Sequence, residues 1–251
     1  MPEPYEVYAV HYAHNPNARR ANNFIGGDPH DGPMPLDYFV WAIKGPERTF
    51  VFDTGFDAPM GEKRQRQFVR SPSVGLKAIG IEPRDVQDVI LSHMHYDHCG
   101  NYDLFPHARY HVQDIEMAYA TGRCMCHAGL RAPFEEEDVV AMVRKLFAGR
   151  VAFHDGVDEL APGLTVHHVG GHSKGRRWYG CGRDAAGWFS PPMPATSTPT
   201  WRKAAPFRSC TATRTRWQAM RQCGNWRARR TRSFPATIRW SCSATRRSRQ
   251  S

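Results

Sequence analysis

The chain runs short of acids and histidines long before it ends. All 13 histidines lie before residue 173, and of 24 Asp and Glu only Asp184 lies beyond residue 175. A site of imidazoles and carboxylates drawn from the last third alone is therefore excluded. No apolar run approaches the roughly 20 residues needed to span a bilayer, which excludes a spanning helix in the sequence as given. The start, Met1-Pro2-Glu3-Pro4-Tyr5, lacks the basic and apolar regions of a secretory signal, so a soluble, cytoplasmic protein with no membrane partner is expected. The 7 cysteines are odd in number and irregular in spacing, which excludes a disulfide framework. Cys124-Met125-Cys126-His127 is a weak metal pattern and reads as ordinary packing or an exposed thiol.

At 251 residues the chain can form one large domain or two small ones. Its net charge of +10 hides a break. Residues 1–175 hold 17 basic against 23 acidic side chains (17 − 23 = −6); residues 176–251 hold 17 against one (17 − 1 = +16). Those last residues are rich in Arg, Ser, Thr, Pro, Ala and Trp, with no sustained apolar period of 2 or 3.6. Three readings compete. Arg227, Arg229, Arg230 and Arg232, with interleaved Trp, fit a nucleic-acid-binding tail, the less favoured reading. Low apolar content fits a disordered basic extension. The third is a segment translated out of frame.

Before the break the chain alternates strand and helix signals. Tyr5–Tyr12 reads as a strand, and residues 14–35 as a long loop over a site. Asp37–Ile43 and Thr49–Phe52 form a hairpin whose second strand ends in Asp53-Thr54-Gly55. A helix is expected over 64–78, a strand over Val86–Leu91, and another over Ala108–Gln113 with a helix at Asp114–Ala120. Pro133 and Phe134 open a helix with Glu135, Glu136, Glu137 and Asp138 in its first turn, an acid run that suits the positive end of the helix dipole. Val151–His154 and Leu164–Val169 complete an α/β domain.

Directly after the Val86–Leu91 strand comes His93-Met94-His95-Tyr96-Asp97-His98, an H-x-H-x-D-H string. Imidazole and carboxylate are ligands that zinc favours, and a catalytic site keeps one position open for water. On an extended loop, alternation aims His93, His95 and Asp97 to one side, and His98 could serve a second ion. A third histidine is needed to complete a catalytic ligand set. His172 is the candidate, because Gly170 and Gly171 let the chain turn at a strand end. His167 and His168 lie within that strand and read as packing. Asp53 could orient a ligand histidine or simply cap its turn.

Asp53-Thr54-Gly55, then H-x-H-x-D-H, then Gly171-His172-Ser173 resembles the metallo-β-lactamase superfamily. LSHMHYDHCGNYDLFPHARYHVQ and GGHSKG are most similar to its N-acyl-homoserine lactonase branch. The resemblance covers residues 5 to about 175 and implies an αββα sandwich holding two metal ions, usually zinc. It implies that His93, His95 and His172 bind one ion, and Asp97 and His98 the other. It further implies that metal-bound hydroxide opens a lactone ring, with Asp97 catalytic in orienting it or passing a proton to the leaving alkoxide. Other members of the superfamily cleave thioesters, β-lactams and other esters.

The family pattern also requires a bridging Asp in a Ser-Asp-Ala-Ser-His-like context and a final His in an Ile-Pro-Gly-His-Asp-Pro-like one. Neither is present, so the second half of the sandwich is expected to be incomplete. Regrouping the codons of residues 189–196 one nucleotide earlier permits Leu-Ala-Ser-Asp-Ala-Ser-His, with the second Ala forced by the Met193 and Pro194 codons. The same regrouping of residues 233–239 permits Ile-Pro-Gly-His-Asp-Pro. The expected organisation is a hydrolase domain over residues 1–175, followed by an out-of-frame, poorly ordered segment over 176–251. Such a chain is either a weakened lactonase or an inactive remnant of one.

Overall fold

The computed structural model describes residues 5–23, 32–181, 188–189, 228–230 and 237–241. A mixed sheet is seeded by a long antiparallel pair, β1 (Glu6–Asn15) with β2 (Leu36–Lys44). It continues antiparallel into β3 (Thr49–Phe52), then in parallel through β5 (Asp88–Ile90), β6 (Arg109–Gln113) and β7 (Val151–His154). The short β4 (Gln67–Phe68) also pairs with β1. Late in the chain, β13 (Thr237–Ser241) and β12 (Ala228–Arg230) add to the far edge beside β1. A second, antiparallel sheet has β8 (Val157–Ala161), β9 (Leu164–His168), β10 (Arg177–Cys181) and β11 (Trp188–Phe189), in the order β11-β10-β9-β8.

Side-chain alternation explains the layering. Strands β3 and β5 are buried on both faces, as parallel strands flanked on both sides must be. Phe50, Phe52, Trp41, Ile43 and Ile90 point to the second sheet and meet Leu164, Val166 and Tyr179. Val51, Val89, Val40 and Val10 point the other way, onto a helical layer. That layer includes Leu76 of the helix Pro72–Ala78, Met117 and Ala120 of Asp114–Ala120, and Ala141 and Met142 of Glu136–Phe147. The described residues thus form the helix, sheet and sheet layers of the expected sandwich, and among them no helix follows Phe147. None is long and apolar enough to cross a membrane.

Two expectations need correction. The helix expected over 64–78 begins only at Pro72, because Gln65 takes φ +55 and residues 67–68 are drawn into β4. The fold also runs past the boundary expected at Gly175. Arg177–Cys181 pairs along all of β9 and buries Tyr179 against Phe52, with ring centroids 4.7 Å apart. Residues 182–187, 190–227, 231–236 and 242–251 of the late segment lie outside the described residues, so the disorder expected there is not addressed.

Strand β10 carries an anomaly. Arg177 is fully buried, and its Nε, Nη1 and Nη2 have no hydrogen-bond partner among the described residues. Burial pulls its pKa down to about 9, against the fields of Glu116 and Asp53. An unsatisfied buried polar group costs about 1–3 kcal/mol, and a charged one more. Arg177→Met is therefore expected to raise stability by about 1–3 kcal/mol in urea denaturation; an unchanged or lower midpoint contradicts this account of β10.

Candidate metal centre

Two strand ends and one inter-strand loop supply the residues. Asp53 follows β3, Ser92 to His98 follow β5, and the loop from β9 to β10 carries His172. These ends lie at one edge of the sheets, the place where open α/β sheets present functional groups. The backbone is extended only as far as His95; Tyr96–Cys99 is a helical turn, with Cys99 N–H donating to His95 O at 3.1 Å. Asp97 and His98 are thus presented by a turn of helix and not by the alternation expected of a loop. Gly170 and Gly171 have φ of +67° and +93°, the left-handed conformation their position was expected to demand.

His93, His95 and His172 converge, their donor nitrogens all within 4.8 Å of one another. Ring centroids are 4.3 Å apart for His93 and His95, 4.7 Å for His95 and His172, and 5.0 Å for His93 and His172. His93 and His95 are buried and His172 half-buried. Burial, with the neighbouring imidazoles, lowers the pKa of His93 well below its ordinary value, and burial does the same for His172. Burial pushes His95 down to about 3, although Asp97 opposes it. All three are neutral at pH 7, the state that ligates metal. His93 Nε2 is buried without a hydrogen-bond partner among the described residues. Three neutral imidazoles with an orphaned nitrogen among them fit a borderline ion such as zinc.

Asp97 and His98 form the adjoining half. His98 Nε2 lies 3.3 Å from Asp97 Oδ2, and His98 Nδ1 lies 2.7 Å from Asp53 Oδ2. Burial disfavours the His98 cation, but Asp97 and Asp53 outweigh it and push its pKa up to about 10. Burial would raise Asp97, yet His98 holds its carboxyl well below the usual range. Asp53 itself is fully buried and accepts from Ser92 N–H at 2.7 Å and Ser92 Oγ–H at 2.8 Å. The orienting role is the one its contacts fit.

Ser92 was not singled out in the sequence. Its hydroxyl lies 2.9 Å from His93 Nδ1, which leaves Nε2 facing the cluster. Its only signal was a hydroxyl directly before the motif. His167 and His168 lie apart, bonded to Thr165 Oγ1 and Lys174 O. The cysteines Cys99, Cys124 and Cys126 are free thiols. Part of the loop expected over the site, residues 24–31, is outside the described residues.

Asp53 adopts φ +63°, a backbone that Asn also tolerates. Asp53→Asn therefore keeps the turn but sets an amide donor against Ser92 or His98. The expected loss is about 2–3 kcal/mol in urea denaturation of the metal-free chain, the cost of an unsatisfied buried donor; full stability would show that the carboxylate is not the acceptor hub.

A sequence model described as "Metallo-beta-lactamase superfamily" matches residues 34–185, more than half of the chain. N-acyl homoserine lactonase AiiB of Agrobacterium fabrum strain C58 is 26% identical over 151 residues, covering 54% of each chain. The chain thus spans about half the length of that relative. In fold it is similar to an N-acyl homoserine lactone hydrolase solved with N-hexanoyl-L-homoserine at its catalytic metal centre: TM-score 0.56, 18% identity, 75% of this chain and 74% of that one. It is also similar to AidC, a dizinc quorum-quenching lactonase: TM-score 0.53, 18% identity, 73% and 69%. Matched by that model over more than half of its length, the chain belongs to the metallo-β-lactamase superfamily.

Proposed function

We propose that this chain derives from, and in its complete form is, a metal-dependent hydrolase that opens a lactone ring of the N-acyl homoserine lactone class. The convergence of His93, His95 and His172 beside Asp97 and His98 carries the reading. The similarity to AiiB supports the lactone over thioesters, β-lactams and other esters, which share the ligand chemistry. His93, His95 and His172 would hold one zinc, and Asp97 with His98 a second. Bound zinc supplies Lewis acidity and brings the pKa of bound water to about 7. Neutral rings at 93, 95 and 172 need lose no proton to ligate. Asp53 and Ser92 fix which nitrogens of His98 and His93 face inward. Asp97 orients the attacking water and accepts its proton at a carboxylate oxygen. It then returns that proton to the ring oxygen as the ester C–O bond breaks.

A second reading concerns the chain as written, and Arg177 favours it. We propose that the frame shifts close after Gly175, leaving a product without the last family ligands. A bare guanidinium between two sheets is what a foreign reading of a core strand would leave. Regrouping codons one nucleotide earlier removes it, since no codon formed at position 177 encodes arginine. The same regrouping forces valine at the buried position 179, because Trp ends in G and Tyr begins with TA. It also forces Leu, Met or Val at 181. Sequencing the gene around codon 175 tests this: a single-base change that restores the later motifs is expected, and its absence ends the proposal. The nucleic-acid reading rests on the basic segment, 60 of whose 76 residues lie outside the described ones, and nothing in the described part supports it.

Metal analysis and lactone turnover test both readings together. The chain as written is expected to retain about one zinc and to open an N-acyl homoserine lactone poorly or not at all. The frame-restored chain is expected to retain two and turn over. Restored protein that cleaves a thioester or β-lactam in preference to the lactone overturns the substrate assignment. Two zincs and ordinary turnover in the chain as written overturn the remnant reading.

A further inference from the structure

Glu116 ties together the two loops that carry the three converging histidines. It sits in the first turn of the helix Asp114–Ala120 and is 1% exposed. Its Oε1 accepts from Met94 N–H at 2.9 Å, the peptide between His93 and His95. Its Oε2 accepts from Gly175 N–H at 2.7 Å and from the Ser173 hydroxyl, both just past His172. One carboxylate thus spans contacts 22, 57 and 59 residues away in sequence. Loop 172–175 presses so closely on the helix that a Cβ at Gly175 would lie 2.3 Å from Glu116 Cβ and 2.4 Å from its backbone nitrogen. Burial raises the pKa of Glu116, and the Ser173, Met94 and Gly175 hydrogen bonds oppose that rise.

We infer that Glu116 is the positioning residue that sets the separation of His93 and His95 from His172, and through it the affinity of the centre for metal. The inference rests on the metal-centre reading given above. The chemistry is specific to a carboxylate. All three partners are donors, and a carboxylate presents acceptors on both oxygens. A glutamine of nearly the same shape presents one acceptor and one donor. Its amide nitrogen must then face either Met94 N–H or the Ser173–Gly175 pair, and one ligand loop has to withdraw. Groups that orient metal ligands from behind typically change metal affinity by 10–100-fold when removed.

The test is Co(II) titration of the full chain stripped of metal, read by the ligand-field absorption of cobalt as well as by affinity. Glu116→Gln is expected to weaken Co(II) binding by about 10–100-fold and to shift the absorption bands as the ligand geometry changes. Ser173→Ala, which keeps both backbone tethers, is expected to stay within about 3-fold of the parent. Ile43→Ala, fully buried between the sheets and away from both loops, is expected to lower the melting temperature while leaving affinity and bands unchanged. If Glu116→Gln does not fold, Glu116→Asp carries the test: it keeps every acceptor but draws them back by one methylene, and should weaken Co(II) at least about 3-fold. Parental affinity and bands in the Glu116 variants overturn the inference alone, as does an equal loss in Ile43→Ala at matched stability. A parent chain that binds no Co(II) overturns the metal-centre reading itself, and the inference with it.

Discussion

A carboxylate sealed from water at the end of β3 is the constraint on which the rest of the site depends. Asp53 takes a left-handed backbone, and its N–H donates to Ile90 O at 2.9 Å, so the chain turns at the edge of the sheet. The side chain then faces β5's continuation, where Ser92 and His98 supply polar hydrogens to it. An ion with no solvent is tolerable only when its lone pairs are occupied. That requirement fixes Ser92, Ser92 fixes one face of His93, and Asp53 fixes one face of His98. The loop between them cannot relax without stranding a buried charge.

The two halves of the site are electrostatic opposites because of this. His93, His95 and His172 lie where burial outweighs any favourable field, so they are neutral lone-pair donors. His98 lies between two carboxylates, so without metal it carries the positive charge that Asp97 and Asp53 require. A cation at Asp97 and His98 would have to displace that proton, whereas one at the three histidines would displace none. A bridging acid would bring the second ion the additional negative charge it needs, and in this chain no Asp or Glu follows Asp184.

Much of this was legible in the residues. Thr49–Phe52, Asp114–Ala120 and Val151–His154 form within their expected bounds, since each combines a clear period with a clear stop. The H-x-H-x-D-H string and Gly170-Gly171-His172 marked the centre, because ligands close in sequence and glycines before a lone histidine leave a local trace. What stayed hidden was long-range. Nothing near Glu116 announces that it will meet Met94, Ser173 and Gly175, since three donors from two distant loops converge on it only when the sheets have packed. The helical turn at Tyr96–Cys99 was hidden for a related reason: its N-terminal Tyr96 N–H is satisfied by Pro133 O, a partner 37 residues on (133 − 96). Alternation describes an isolated loop and says nothing of such a partner.

Strand β10 shows how topology and side-chain identity can separate. Backbone pairing with β9 runs its whole length, and Arg177 N–H donates to Ser92 O at 2.9 Å, joining the second sheet to the ligand loop. Those bonds are blind to side chains. The inward face is not: Tyr179 joins the apolar cluster of Phe52, Ile90, Leu164 and Val166, whereas the buried Arg177 feels the charges of Glu116 and Asp53 and finds no side-chain hydrogen bond among the described residues. Strand pairing thus survives at a position where packing has lost its logic. At Arg177 backbone pairing and side-chain burial conflict, and that single conflict is the observation behind the proposed change of frame.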